Sequence, residues 1–148
     1  MKVLMIGSAN LGPYHFSRFQ SLAKILSGFT YVRFFPKEVY RPWSSDLGDD
    51  PARIISLNRG ESISKLLYKE SPDIIIIIGY NNWTLLRAAR WAKLHGVPCI
   101  LQCDSTYYDH KRRWWKESVK KFVVRRLFNG AFVAGSRSAS YVKLLGIS

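Results

Sequence analysis

The chain has 148 residues, 47% of them hydrophobic and 14% aromatic. That composition fills one apolar core of ordinary domain size and excludes a disordered tail or a linker. Lys and Arg number 23 against 10 Asp and Glu, a net charge of +13, so the partners to look for are anionic: nucleotide phosphates, nucleic acid or an acidic membrane surface.

The charge excess is uneven. Residues 1–74 hold 10 basic and 7 acidic side chains, whereas residues 75–148 hold 13 and 3. Between positions 111 and 126, eight basic residues face Glu117 alone. Cys99 and Cys103 are too few for a disulfide scaffold or a four-cysteine zinc site. They lie in the apolar run VPCILQC, which reads as a strand carrying buried thiols in a reducing compartment. The opening MKVLMIG is too short for a signal-peptide core, and the aliphatic run 74–78 falls far short of the ~20 residues that span a bilayer. The expectation is a cytoplasmic chain, or one held peripherally on the inner face of the membrane.

Residues 3–6 form the first expected strand. The loop GSANLGPYH follows, with Pro13 placed to start a helix over 14–26. Its backbone N–H groups suit a phosphate or a sugar oxygen, or it is a plain strand-to-helix turn. The glycine spacing is neither G-x-G-x-x-G nor that of a Walker loop. His15 and Arg18 lie three apart in the first turns of this helix and share a face.

A strand is expected at 31–35, a loop rich in Pro, Gly, Ser and Asp at 36–51, and a weaker strand at 53–57. A helix over 61–68 leads through Pro72 to the five-isoleucine strand 74–78. The next helix, 82–94, ends before Gly96, and a strand follows at 97–102. Asp104 then stands after a buried strand. It acts either as a general base that orients a hydroxyl substrate or as the cap of the following helix.

The basic helix is expected over 108–128, with an apolar stripe of Trp115, Val119, Phe122, Val123 and Leu127. Trp114 and Phe128 fall away from that stripe. Lys111, Arg112, Arg113, Trp114, Lys116, Lys120 and Lys121 make either a solvated charged face or a surface for anionic membrane; nucleic acid is the weakest reading. A strand at 131–134 and a helix at 138–145 close the chain. The three scattered histidines form no metal site.

Continuous apolar runs alternating with helices predict an α/β, Rossmann-like, doubly wound and mainly parallel sheet, buried on both faces. In such sheets ligands bind outside the carboxyl ends of the strands. That rule selects the loops 7–13, 79–82, 103–107 and 135–137.

The opening strand with its glycine loop, SPDIIIIIGY and GAFVAGSRSASYVKLLGIS together resemble the N-terminal domain of GT-B glycosyltransferases of family four (glycosyl transferases group 1). The tail carries most of the likeness: a basic helix, a short strand, a small-residue turn and a helix with Tyr-x-x-x-Leu-Gly-Ile. The resemblance covers essentially the whole chain. It implies a single acceptor-binding domain over 1–148 and the absence of the C-terminal donor-binding domain with its E-x7-E glutamates. It implies sugar transfer from a nucleotide-sugar to a glycan or lipid-linked acceptor with retention, inactive in this chain alone. No permanent cofactor and no metal are expected. Gly12 and Pro13 would approach the donor phosphate; Tyr14, His15, Arg18, Tyr80, Asn81, Ser105 and Ser136 would line the acceptor side, with Asp104 catalytic. The family often has histidine where Asp104-Ser105 stands. The implied partner is a C-terminal GT-B domain, in the same chain or in a second one. The rival readings are a flavodoxin-like module for a small anion and a basic nucleic-acid-binding domain.

Overall fold

The computed structural model describes residues 1–8, 13–34, 53–58, 60–109 and 113–147; for Ser8, Pro13 and Tyr14 it describes the backbone. The described strands are β1 (Val3–Ser8), β2 (Phe29–Phe34), β3 (Arg53–Leu57), β4 (Ile74–Ile78), β5 (Cys99–Cys103) and β6 (Gly130–Val133). The helices are α1 (Pro13–Ile25), α2 (Ile63–Glu70), α3 (Trp83–Leu94), α4 (Trp114–Leu127) and α5 (Ser136–Leu144). The sheet runs β3-β2-β1-β4-β5-β6 and every pairing is parallel. This is the Rossmann-like, doubly wound α/β architecture expected. The winding reverses between β1 and β4, the switch point beside which such sheets bind ligands. The expected loop 36–51 lies outside the described residues.

The sheet is covered unequally. Helices α2 to α5 pack on one face, against Leu4, Ile6, Ile75, Ile77 and Leu101. On the other face, Phe19 of α1 packs against Val3, Met5, Phe29 and Tyr31. β4 records the difference: Ile75 and Ile77 are fully buried, but Ile74, Ile76 and Ile78 only partly. The expectation of strands buried on both faces holds for β1, β2 and most of β5, and is corrected for β4. Residues of opposite parity meet different layers, and a single described helix leaves part of its face open.

Local chemistry sets the ends of the elements. Asn82 caps α3, its Oδ1 accepting from the Thr84 N–H at 2.8 Å. Gly79, at φ +79°, turns the chain out of β4 in a conformation that L side chains rarely adopt. Both cysteines of β5 are buried and no disulfide joins them. Burial pushes the Cys99 thiol up to about 12.

Helix α4 departs most from expectation. It starts at Trp114 rather than near position 108. The Asp109 carboxylate accepts from the N–H and Oγ1 of Thr106, both at 2.6 Å, which closes a turn before the helix. Its orientation differs too. Val124 is its buried residue and Phe128, expected apart from the stripe, is 6% exposed, whereas Trp115, Val119 and Phe122 face solvent. The inward face instead takes Glu117 and Lys120. Their 2.7 Å ion pair and a 2.9 Å bond from the Tyr141 hydroxyl to Glu117 compensate the charge brought under the surface.

Candidate functional site

The carboxyl ends of β4 and β5 and the first turns of α1 enclose a cavity of about 470 Å³, lined among others by His15, Tyr80, Asn81, Gln102, Asp104 and Lys120. Beside it, the side chains of Ile78 and Tyr31 lie over Gly7: a Cβ there would meet Ile78 Cδ1 and the Tyr31 hydroxyl, each at 2.7 Å.

Arg18 and Asp104 are 86 positions apart in sequence yet paired, both carboxylate oxygens 3.1 Å from Arg18 Nη1. Ser138 Oγ donates to the Asp104 carbonyl at 3.0 Å, so α5 fixes the backbone of this loop. The capping alternative for Asp104 is thereby corrected. The next helix has Arg113 at its N-cap position, and the carboxylate turns instead toward α1.

His15 lies between two polar partners. Gln102 Nε2 donates to its Nδ1 at 3.1 Å, which leaves the ring hydrogen on Nε2, 3.9 Å from Asp104 Oδ2. That second distance is too long for a hydrogen bond. Gln102 is 1% exposed, and its Oε1 has no hydrogen-bond partner among the described residues. A buried acceptor without a donor costs roughly 1–3 kcal/mol, so its retention on a cavity wall fits a ligand site. Opposite, Tyr80 and Tyr141 share a 3.3 Å hydroxyl contact, and Tyr141 continues to Glu117 and Lys120.

Five of the expected residues therefore line one cavity: His15, Tyr80, Asn81, Asp104 and Ser105. Arg18 joins them through Asp104. Ser136 stands exposed at the start of α5 and is not among the cavity's lining residues; Ser138, two residues on, instead bonds the Asp104 carbonyl. Gly12, Lys111 and Arg112 lie outside the described residues, and Pro13 and Tyr14 are described as the start of α1 only. Lys120 leaves the expected charged surface and lines the cavity. Gln102, Glu117 and Tyr141 escaped the sequence reading. One signal existed: Glu117 is the lone carboxylate of the basic segment, and a lone opposite charge implies a specific partner. Among the described residues no group of three or more His, Cys, Asp or Glu stands together as metal ligands would.

The arrangement is a polar cavity lined by Asp104, Asp109 and Lys120, with one carboxylate oriented by Arg18 and one imidazole beside a buried amide. It suits a polyhydroxylated ligand, whose hydroxyls both donate and accept.

No protein-family model matches the sequence, and no curated protein does. Solved structures do match in fold. A crystal structure of Anabaena Alr3699/HepE in complex with UDP superposes with TM-score 0.72 at 12% identity, over 100% of this chain and 42% of that one. The same protein with UDP and glucose gives 0.73 at 11%. A UDP-N-acetylglucosamine 2-epimerase from Rickettsia bellii gives 0.59 at 13%, again over 100% and 42%. At such identities the likeness is one of fold. The chain spans less than half the length of these proteins, which supports a GT-B-type half-domain without singling out family four.

Proposed function

We propose that this chain is the acceptor-binding half of a glycosyltransferase that takes its sugar from a nucleotide-sugar. One observation carries the reading. The oriented Arg18–Asp104–His15–Gln102 group stands at the carboxyl end of β5, beside the switch point, where this fold binds ligands. The fold neighbours support it, since two are solved with UDP and one is named for a UDP-sugar reaction.

In this reading Asp104 accepts the proton of the acceptor hydroxyl as its oxygen bonds the anomeric carbon, while the bond from that carbon to phosphate breaks and the nucleoside diphosphate leaves on the donor side. Arg18 holds the carboxylate in place, and the buried Gln102 oxygen and the His15 N–H orient neighbouring hydroxyls. Tyr80, Asn81, Ser105 and Ser136 contact the acceptor, and Gly12 and Pro13 meet the donor phosphate at the start of α1. A second domain, in the same chain or a partner, supplies the rest of the donor site, and retention requires that domain to deliver the sugar to the acceptor from the face the nucleoside diphosphate leaves.

Sugar transfer by the two-domain assembly tests this. Asp104→Asn should lower the rate about 10²-fold with the donor KM little changed. An unchanged rate would sink the assignment. Amide-shift mapping on the chain alone gives a second arm. Sugars should move the amides of 79–82 and 102–106; a response to inorganic phosphate with none to sugars would favour the small-anion module.

A further inference from the structure

Helices α3 and α4 lie side by side on the well-covered face of the sheet, and their outer surfaces mix large apolar side chains with cations. On α3, Trp83, Arg87, Arg90 and Leu94 follow one another at helical spacing along one exposed face, Trp83 and Leu94 being 69% and 71% exposed. On α4 the outward line is Trp115, Val119, Phe122 and Arg126, beginning beside Trp114, which is 82% exposed. Lys93 of α3 and Lys121 and Arg125 of α4 line a groove of about 920 Å³ between the helices. These three cations have no carboxylate partner among the described residues. Glu117, the one acidic residue of either helix, is turned inward and bonded to Lys120 and Tyr141.

We propose that the paired outer faces of α3 and α4 form a docking surface for an anionic lipid bilayer. Charge complementarity sets the sign of the partner. The mixture of side chains sets its class: indole rings settle at headgroup depth, Leu94, Val119 and Phe122 enter the acyl boundary, and the cations meet lipid phosphates. Nucleic acid would satisfy the cations and stack on the rings, but it has no place for exposed Leu94 and Val119. Trp83 and Trp114 begin their helices at the carboxyl edge of the sheet, the edge that carries the cavity. Docking would therefore set the cavity mouth near the membrane. The inference does not depend on the sugar-transfer reading.

Vesicle sedimentation with the full chain tests it. Wild type should partition to vesicles of equal parts phosphatidylcholine and phosphatidylglycerol, release in high salt, and ignore pure phosphatidylcholine. Its tryptophan emission should shift to the blue on binding. Lys93→Glu, Lys121→Glu and Arg125→Glu combined should weaken partitioning by at least about 10²-fold, from roughly fivefold per cation. Phe122→Ser should weaken it several-fold and leave the salt dependence intact; this one exposed position keeps the test valid if the triple variant misfolds. Equal binding to both vesicle types, binding to neither, or binding only to single-stranded RNA or DNA would overturn the proposal.

Discussion

The two faces of the sheet divide the labour of the molecule. On the α2–α5 side, Ile75, Ile77, Cys99 and Leu101 are fully buried in one apolar cluster. On the α1 side, the parity-related residues are half-covered isoleucines, and at the end of β5 the position belongs to Gln102, under His15. Both faces bury apolar side chains, Met5, Phe19 and Tyr31 completely on the α1 side, but only the α2–α5 face closes over β4. The other spends part of its apolar area on a polar cluster. Adjacent residues of one strand thus differ in role because a strand sends successive side chains to opposite layers.

The sharpest way to break this comparison is to truncate neighbours in β4. Ile77→Ala should cost about 2–5 kcal/mol, since it leaves a cavity in a fully packed layer. Ile76→Ala should cost only about 1–2 kcal/mol, because its side chain is already partly in water. Denaturant midpoints measure both. Equal losses would mean that the α1 face is as closed as the other.

Gln102→Leu should leave stability unchanged or raise it by about 1 kcal/mol, because an apolar side chain replaces a buried amide with an unsatisfied oxygen. Ligand-induced shifts around 102–106 should disappear in the same variant. A loss above about 2 kcal/mol would show instead that the amide is structural.

The smallest effect concerns pH. Burial raises the Cys99 thiol from the ordinary 9.0 to about 12 and raises the Tyr31 phenol as well. The folded state then keeps protons that the unfolded chain releases. The contribution of these two groups should be constant below pH 9, so stability should fall as pH rises from 9 toward about 12, and Cys99→Ala should flatten part of that slope. Stability rising through that window would contradict the burial.

Much of this was legible in advance. Five consecutive isoleucines and the segment 53–57 predict the bounds of β4 and β3 as found. Apolar runs punctuated by Pro72 and Gly96 predict the alternation of strands and helices. The strand-end rule selects Tyr80, Asn81, Asp104 and Ser105, and helical spacing adds His15 and Arg18. α4 was not legible. Its hydrophobic stripe identified a helix face, but which side meets the sheet depended on Tyr141, 24 residues from Glu117, being there to accept that carboxylate inside. Likewise Gln102 read as one more residue of an apolar strand; only the placement of α1 over β5 turned it toward His15.

The sequence by itself determined the layer architecture, because apolar periodicity and backbone breakers act within a few residues of one another. It also determined a basic, aromatic segment in search of an anion. Only the tertiary structure decided which cations look outward, which carboxylate is oriented, and which sheet face is left partly open. Those outcomes depend on side chains tens of residues apart meeting at one place, and on which of them can be desolvated together at acceptable cost.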